Sequence, residues 1–201
     1  MAEKALQGGD KLTETLAELS KQIAKASKVR VGFLEGSTEA DGTSVPFIAA
    51  IQEFGASSTK NHTTIELTPP RPYFRTMIAA HSDEWGDVLG KVLVHNGYDA
   101  ENALEQMGMY IGGELQQSII DVSEPALSDV TLMLRKMRSE DQSLIVTGKT
   151  VGEAARRVAD GESLGDVSRK PLVDTGTMLK SVSYQVDNGA KTEVDPNKNL
   201  P

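Results

Sequence analysis

Three prolines fall within four residues at Pro69-Pro70-Arg71-Pro72, and no other stretch restricts the fold as strongly. A proline ring fixes φ at about −65°, has no N–H, and pushes the residue before it into extended conformations. Such a run neither continues a sheet ladder nor enters a helix interior, so it is a stiff connector between two different elements. On its N-terminal side, His62 to Leu67 alternates Thr63 and Ile65 against Thr64 and Glu66, the pattern of a strand. On its C-terminal side, Phe74, Met77, Ile78, His81, Trp85, Val88, Leu89 and Val92 recur at helical spacing, predicting a helix from about Tyr73 to His95 that ends at Asn96-Gly97. A second long helix from about Asp99 to Asp121 carries Leu104, Met107, Ile111, Leu115 and Ile119 on one stripe, and a tight turn should set it antiparallel to the first. Its internal Gly108, Gly112 and Gly113 each cost about 1 kcal/mol against alanine, so another element is expected to approach closely there.

Upstream, Leu12, Leu16, Leu19 and Ile23 form the stripe of an amphipathic helix that starts at Asp10. Val29, Val31 and Phe33 then alternate as a half-buried strand, and Ser37 to Ser44 reads as a polar loop. Pro46 opens a short helix with Phe47, Ile48, Ile51 and Phe54 on one side, stopped by Gly55, and Ala56 to Asn61 reads as a further loop. Downstream, helices are expected near Leu127 to Arg138 and Thr150 to Ala159, with the apolar run Leu144-Ile145-Val146 between them. Pro171 presets an extended approach, and Asp174 or Thr175 offers an oxygen to start a one-turn helix over Gly176 to Lys180. From Ser181 the period-2 pattern returns, with Val182, Tyr184 and Val186 on the buried face. The expected class is α+β: a small antiparallel or mixed sheet packed against two long helices. One domain is expected over residues 1–187, including an inserted arm over about 123–169, followed by a flexible polar tail over 188–201.

Composition narrows the function. The chain has 201 residues, 21 Lys+Arg against 29 Asp+Glu and a formal charge of −8, which disfavours a protein built to grip nucleic-acid phosphates. It contains no cysteine, which excludes disulfides, thiolate metal sites and a cysteine nucleophile. No apolar run reaches the roughly 20 residues that span a bilayer, and the expected place of synthesis is the cytosol. Gly148-Lys149-Thr150 resembles the end of a phosphate-binding loop, but the glycine that the motif needs upstream is Ser143. His62, His81 and His95 lack the spacing of metal ligands, and Asp83-Glu84, Glu140-Asp141 and Glu114 read as solvated helix faces. Arg135, Lys136, Arg138, Arg156, Arg157, Arg169 and Lys170 are interleaved with acids, which favours a protein–protein salt-bridge surface. No catalytic, cofactor or metal residue is assigned, and the expectation is a structural protein rather than an enzyme.

Four segments taken in order carry a resemblance: Val31 to Gly36, Val45 to Gly55, Pro69 to Arg75, and Lys170 to Gly176. Together they resemble the tail-completion or neck proteins of long-tailed bacteriophages and prophages. The resemblance implies a small α+β virion protein that forms a homo-oligomeric ring at the head–tail junction, made in the host cytoplasm. Its implied partners are the tail terminator and the head-completion or adaptor proteins below the portal, with DNA passing through unbound and no membrane involved. Ring subunits need two different faces that meet head to tail. Arg71, Pro72, Phe74 and Arg75 are the candidates for one contact, and Asp174, Thr175 and Met178 for another or its support. A phage-encoded metal-dependent hydrolase or nuclease, and a regulatory binding module, are the alternatives.

Overall fold

The computed structural model describes residues 9–33, 36–39, 42–60, 63–186 and 191–193. Among them the order is α1 (Gly9–Ile23), β1 (Val29–Phe33), α2 (Val45–Phe54), β2 (Ala56–Lys60), β3 (Thr63–Thr68), α3 (Tyr73–His95), α4 (Ala100–Asp121), α5 (Asp129–Glu140), α6 (Gly148–Ala159), α7 (Thr177–Lys180), β4 (Val182–Val186) and β5 (Lys191–Glu193). The class is α+β, as expected, with two small antiparallel sheets: β1-β4-β5 and the β2-β3 hairpin. The chain divides into two compact units. The first comprises residues 1–37, 75–116 and 180–201, and the second residues 38–74 and 117–179.

In the first unit, β4 is the central strand, with Val31 opposite Tyr184 on one side and Tyr184 opposite Thr192 on the other. That position corrects the expectation of one buried face: Val182, Ser183, Tyr184 and Val186 are all buried, and the Ser183 hydroxyl donates to the Gly32 carbonyl. β5 lies within the segment expected to be a free tail, and residues 187–190 and 194–201 fall outside the described ones. α3 and α4 run antiparallel within this unit. Gln106 donates to Asn96 near the turn, while Trp85 and His81 both reach Glu114 further along. Asp99 starts α4 by accepting from the Asn102 and Glu101 N–H groups, and its other oxygen pairs with Lys25 at 2.8 Å. The glycine expectation is met at Gly108, where a Cβ would lie 2.6 Å from Tyr184 Cγ. The aromatic ring of the central strand thus rests on the helix backbone itself.

In the second unit, α2 is initiated with Pro46 at its start, and Gly55 ends it at φ 78°. The segment expected to be a loop after it is strand β2. Ser57, Ser58 and Thr59 have no apolar alternation to announce a strand, and their pairing with Glu66, Ile65 and Thr64 supplies what local propensity does not. α5 and α6 bury Met133, Met137 and Ala154 in a cluster with Val130, Leu134, Leu144, Val158 and Leu164 against it. The region expected to be an arm therefore has its own apolar core. Both helices are capped as their sequences dictate: Ser128 accepts from the Thr131 N–H, and Thr147 with Thr150 forms a reciprocal capping box.

Gly108→Ala is expected to destabilise the protein by about 1–3 kcal/mol, because the extra methyl overlaps the buried Tyr184 ring, which must shift to admit it. Urea unfolding of the variant against wild type measures this.

Candidate functional site

The proline connector does not stand alone; it is clamped onto the end of α2. The Arg71 N–H donates to the Gln52 carbonyl at 2.7 Å, and Arg71 Nη1 donates to Gln52 Oε1 at 3.0 Å. The Phe74 N–H, one of the orphan donors at the start of α3, is capped by Glu53 Oε2 at 2.9 Å. Glu53 is buried, so a carboxylate on α2 fixes where α3 begins. The Tyr73 hydroxyl donates to the Ala49 carbonyl, and burial, followed by the Glu53 charge, raises its pKa. Gly55 closes the clamp from the other side, because a Cβ there would lie 2.9 Å from the Thr68 carbonyl oxygen. Two segments separated in sequence, Gln52 to Gly55 and Pro69 to Phe74, are thus one rigid piece.

Next to the clamp lies the loop that returns from α6. Arg135 of α5 is buried, and its guanidinium donates to four backbone carbonyls in a row along that loop: Ser168 at 2.6 Å, Lys170 at 2.9 Å, Val173 at 3.3 Å and Pro171 at 3.1 Å. Its Nε stands 3.4 Å from Asp174 Oδ1, and Arg138 Nη1 stands 2.9 Å from Asp174 Oδ2. Burial pulls the Arg135 pKa down and the Asp174 charge pulls it back up. Arg71 is also buried; besides Gln52, its Nε and Nη2 donate to the Pro125 carbonyl at 3.2 and 3.0 Å. Burial and then the neighbouring Arg135 charge lower its pKa, and its acceptors are neutral. These groups line one groove of about 270 Å³, together with Leu67, Leu127, Leu134 and Val146.

The structure brings Arg71 and Asp174 into the same groove, Arg71 buried in its wall and Asp174 exposed at its surface. Met178 is buried, Phe74 is half-buried with its ring edge-on to Tyr73, and Pro72 and Arg75 are exposed. Thr175, not Asp174, starts α7 by accepting from the Thr177 N–H at 3.2 Å, and its hydroxyl also lies 3.4 Å from Glu39. Sequence reasoning missed Arg135 as the organiser of the return loop and Gln52 as the partner of Arg71. Leu132, three residues before Arg135, is the available signal: it gives α5 a second buried face that includes the arginine.

Several of the basic side chains expected on a salt-bridge surface pair with acids of their own chain. Lys136 pairs with Glu162 at 2.8 Å, Arg156 with Glu153 and Asp160, and Arg157 with Glu153, Glu140 and Glu162. Arg156 first, then Arg157, hold the Glu153 carboxyl down at about 2. In the first unit, Glu114 accepts from Trp85 Nε1 at 2.8 Å and pairs with His81, and its hydrogen bond is the main cause of a raised Tyr110 pKa. Among the described residues, no three His, Asp or Glu side chains are grouped to hold a metal ion, and no helix is long and apolar enough to cross a membrane. His62 lies outside the described residues.

Large apolar side chains are exposed on each unit. In the first they include the α1 residues Leu12, Leu16 and Ile23 at 60%, 56% and 46% exposure, and Val94 of α3 at 61%. In the second, Phe47, Phe54 and Leu67 are 62%, 67% and 65% exposed, and Ile145 is 75% exposed. Comparison with protein-family models, with curated proteins and with solved structures finds no match to this chain.

Arg135→Met should cost about 3 kcal/mol or more, since it takes the guanidinium donor from the Ser168 and Pro171 carbonyls and leaves one side of the Asp174 carboxylate unpaired, as guanidinium chloride unfolding would record. The Glu153 pairs stabilise above the carboxyl's ordinary value of 4.5 and are lost as pH falls toward about 2. The thermal midpoint should therefore drop across that window, and the drop should be smaller in Glu153→Gln.

Proposed function

We propose that this protein is a structural subunit of a phage or prophage head–tail junction, a tail-completion or neck protein that assembles as a homo-oligomeric ring. The role is one of assembly and involves no catalysis. The observation that carries the reading is the pair of exposed apolar surfaces on two different parts of the chain. Leu12, Leu16 and Ile23 form one, and Phe47, Phe54 and Leu67 the other. Large exposed apolar groups of this kind mark places where another protein binds. Two unlike surfaces are what a head-to-tail ring requires, since each subunit must offer one face and receive another.

The hydrogen bonds around the second surface fit this role. Phe54 is the last residue of α2, and Leu67 lies on β3 next to the connector. The Gln52, Glu53 and Gly55 contacts hold both elements to the start of α3, so the surface is presented without an ordering cost at assembly. Two of the four segments that carry the resemblance to neck proteins are the ones joined in this clamp. Ring neighbours, the tail terminator and the head-completion or adaptor proteins are the proposed partners of these faces. Pro72, Arg75, Asp174 and Thr175 are the exposed candidates for these contacts, with Arg71, Phe74 and Met178 supporting them from within. The formal charge of −8 suits a bore through which DNA passes without adhering.

Phe47→Asp with Phe54→Asp should leave the thermal midpoint nearly unchanged, because both side chains are already in water, yet abolish oligomers in sedimentation velocity and fail to restore head–tail joining in a phage that lacks this chain. A wild-type chain that stays monomeric at every concentration, or is missing from purified virions, would sink this reading.

A further inference from the structure

The groove in the second unit has a charge that its own residues leave unbalanced. Arg71, Arg135 and Arg138 line it with Asp174 as the one carboxylate, so among the described residues three guanidiniums face a single negative charge. Arg71 is 5% exposed, and its partners are the Pro125 carbonyl and the Gln52 side-chain oxygen, both neutral. A buried cation without an anion is costly, and a low-dielectric wall makes it a strong attractor for one. Arg138 adds an accessible donor set: its side chain is 41% exposed, and Nη1 alone is engaged, with Asp174. Leu67 at 65% exposure gives the groove an apolar lip.

From this we infer that the groove is a carboxylate-binding site, and that its occupant is an acidic side chain, flanked by apolar ones, on a second copy of this chain. The inference rests on the ring reading and names the chemistry of one contact within it. The choice of occupant follows from charge: the chain carries 29 Asp+Glu against 21 Lys+Arg, so a second copy brings an excess of the sign that the groove lacks. The apolar lip favours a protein segment over a free anion, because it gains by covering Leu67 as well as by neutralising the arginines. Arg71 and Arg135 are held by their carbonyl contacts before any partner arrives, so the positive field is preorganised.

Full-length protein is tested by sedimentation velocity at about 0.05 M and about 1 M salt, a range over which exposed charge pairs go from weakly to strongly screened. Two variants avoid the buried arginines: Arg138→Gln removes the accessible cation, and Leu67→Glu places a carboxylate at the groove in cis. Wild type should self-associate at low salt and weaken at high salt. Arg138→Gln should weaken the low-salt association about tenfold, and Leu67→Glu should weaken it further, with both variants keeping the wild-type unfolding midpoint. Association that is equal at both salts and unaffected by Arg138→Gln overturns the inference while leaving the ring reading intact. If wild type is monomeric throughout, the ring reading fails instead. A blocked hexaglutamate peptide then decides the site: a raised thermal midpoint in wild type but not in Leu67→Glu retains a carboxylate site and overturns the second copy as its source. No shift overturns both.

Discussion

The guanidinium of Arg135 is the interaction on which the second unit depends. The loop between α6 and α7 has no ladder or helix to satisfy its backbone, and a buried carbonyl left without a donor is expensive. One planar side chain with five donors answers several of them at once, which a lysine with its compact ammonium would not do in a fixed geometry. Ser168, Lys170, Pro171 and Val173 all point a carbonyl at the same arginine, and Asp174 balances its charge at the edge. The path of the chain into α7 follows from that tie.

A second buried charge does comparable work a short distance along the chain. Glu53 sits on α2 but caps α3, so the proline connector is held at both ends: its start by Gly55 pressed against Thr68 and Pro70, its finish by Glu53 on the Phe74 N–H. Stiffness in the connector and fixed hydrogen bonds at its ends together remove the freedom that a loop of the same length would keep. The exposed Phe54 and Leu67 flank this rigid piece, and that is why their exposure bears on recognition. An interface residue on a preordered scaffold loses little entropy when it meets its partner.

The charged surface of α5 and α6 shows how charge counting can mislead. Lys136, Arg156 and Arg157 look available in the sequence, yet each lies within 4 Å of acids on its own or the adjoining segment. Helical spacing of three and four residues puts Glu153 beside both Arg156 and Arg157, which is legible without coordinates. The reach from Lys136 to Glu162 is not, because it depends on α6 folding back along α5. What remains electrostatically open is the groove, where burial rather than number sets the demand for a counter-charge.

Local chemistry alone determined most of the elements. The prolines separate β3 from α3, apolar spacing marks α1, α3 and α4, and Pro46 with Gly55 bounds α2, because these effects act within a turn or two of the residue concerned. Tyr184 as a buried strand residue is readable in the same way, whereas the choice of Thr175 over Asp174 as the helix starter came only with the structure. Tertiary structure decided the rest: that Ser57 to Thr59 is a strand, that Ser183 is covered on a central strand, and that Arg71 and Arg135 turn inward to backbone carbonyls. Each of these depends on a partner far away in sequence. Hydrogen-bond satisfaction and burial are settled only when that partner is in place, and no pattern within one segment contains it.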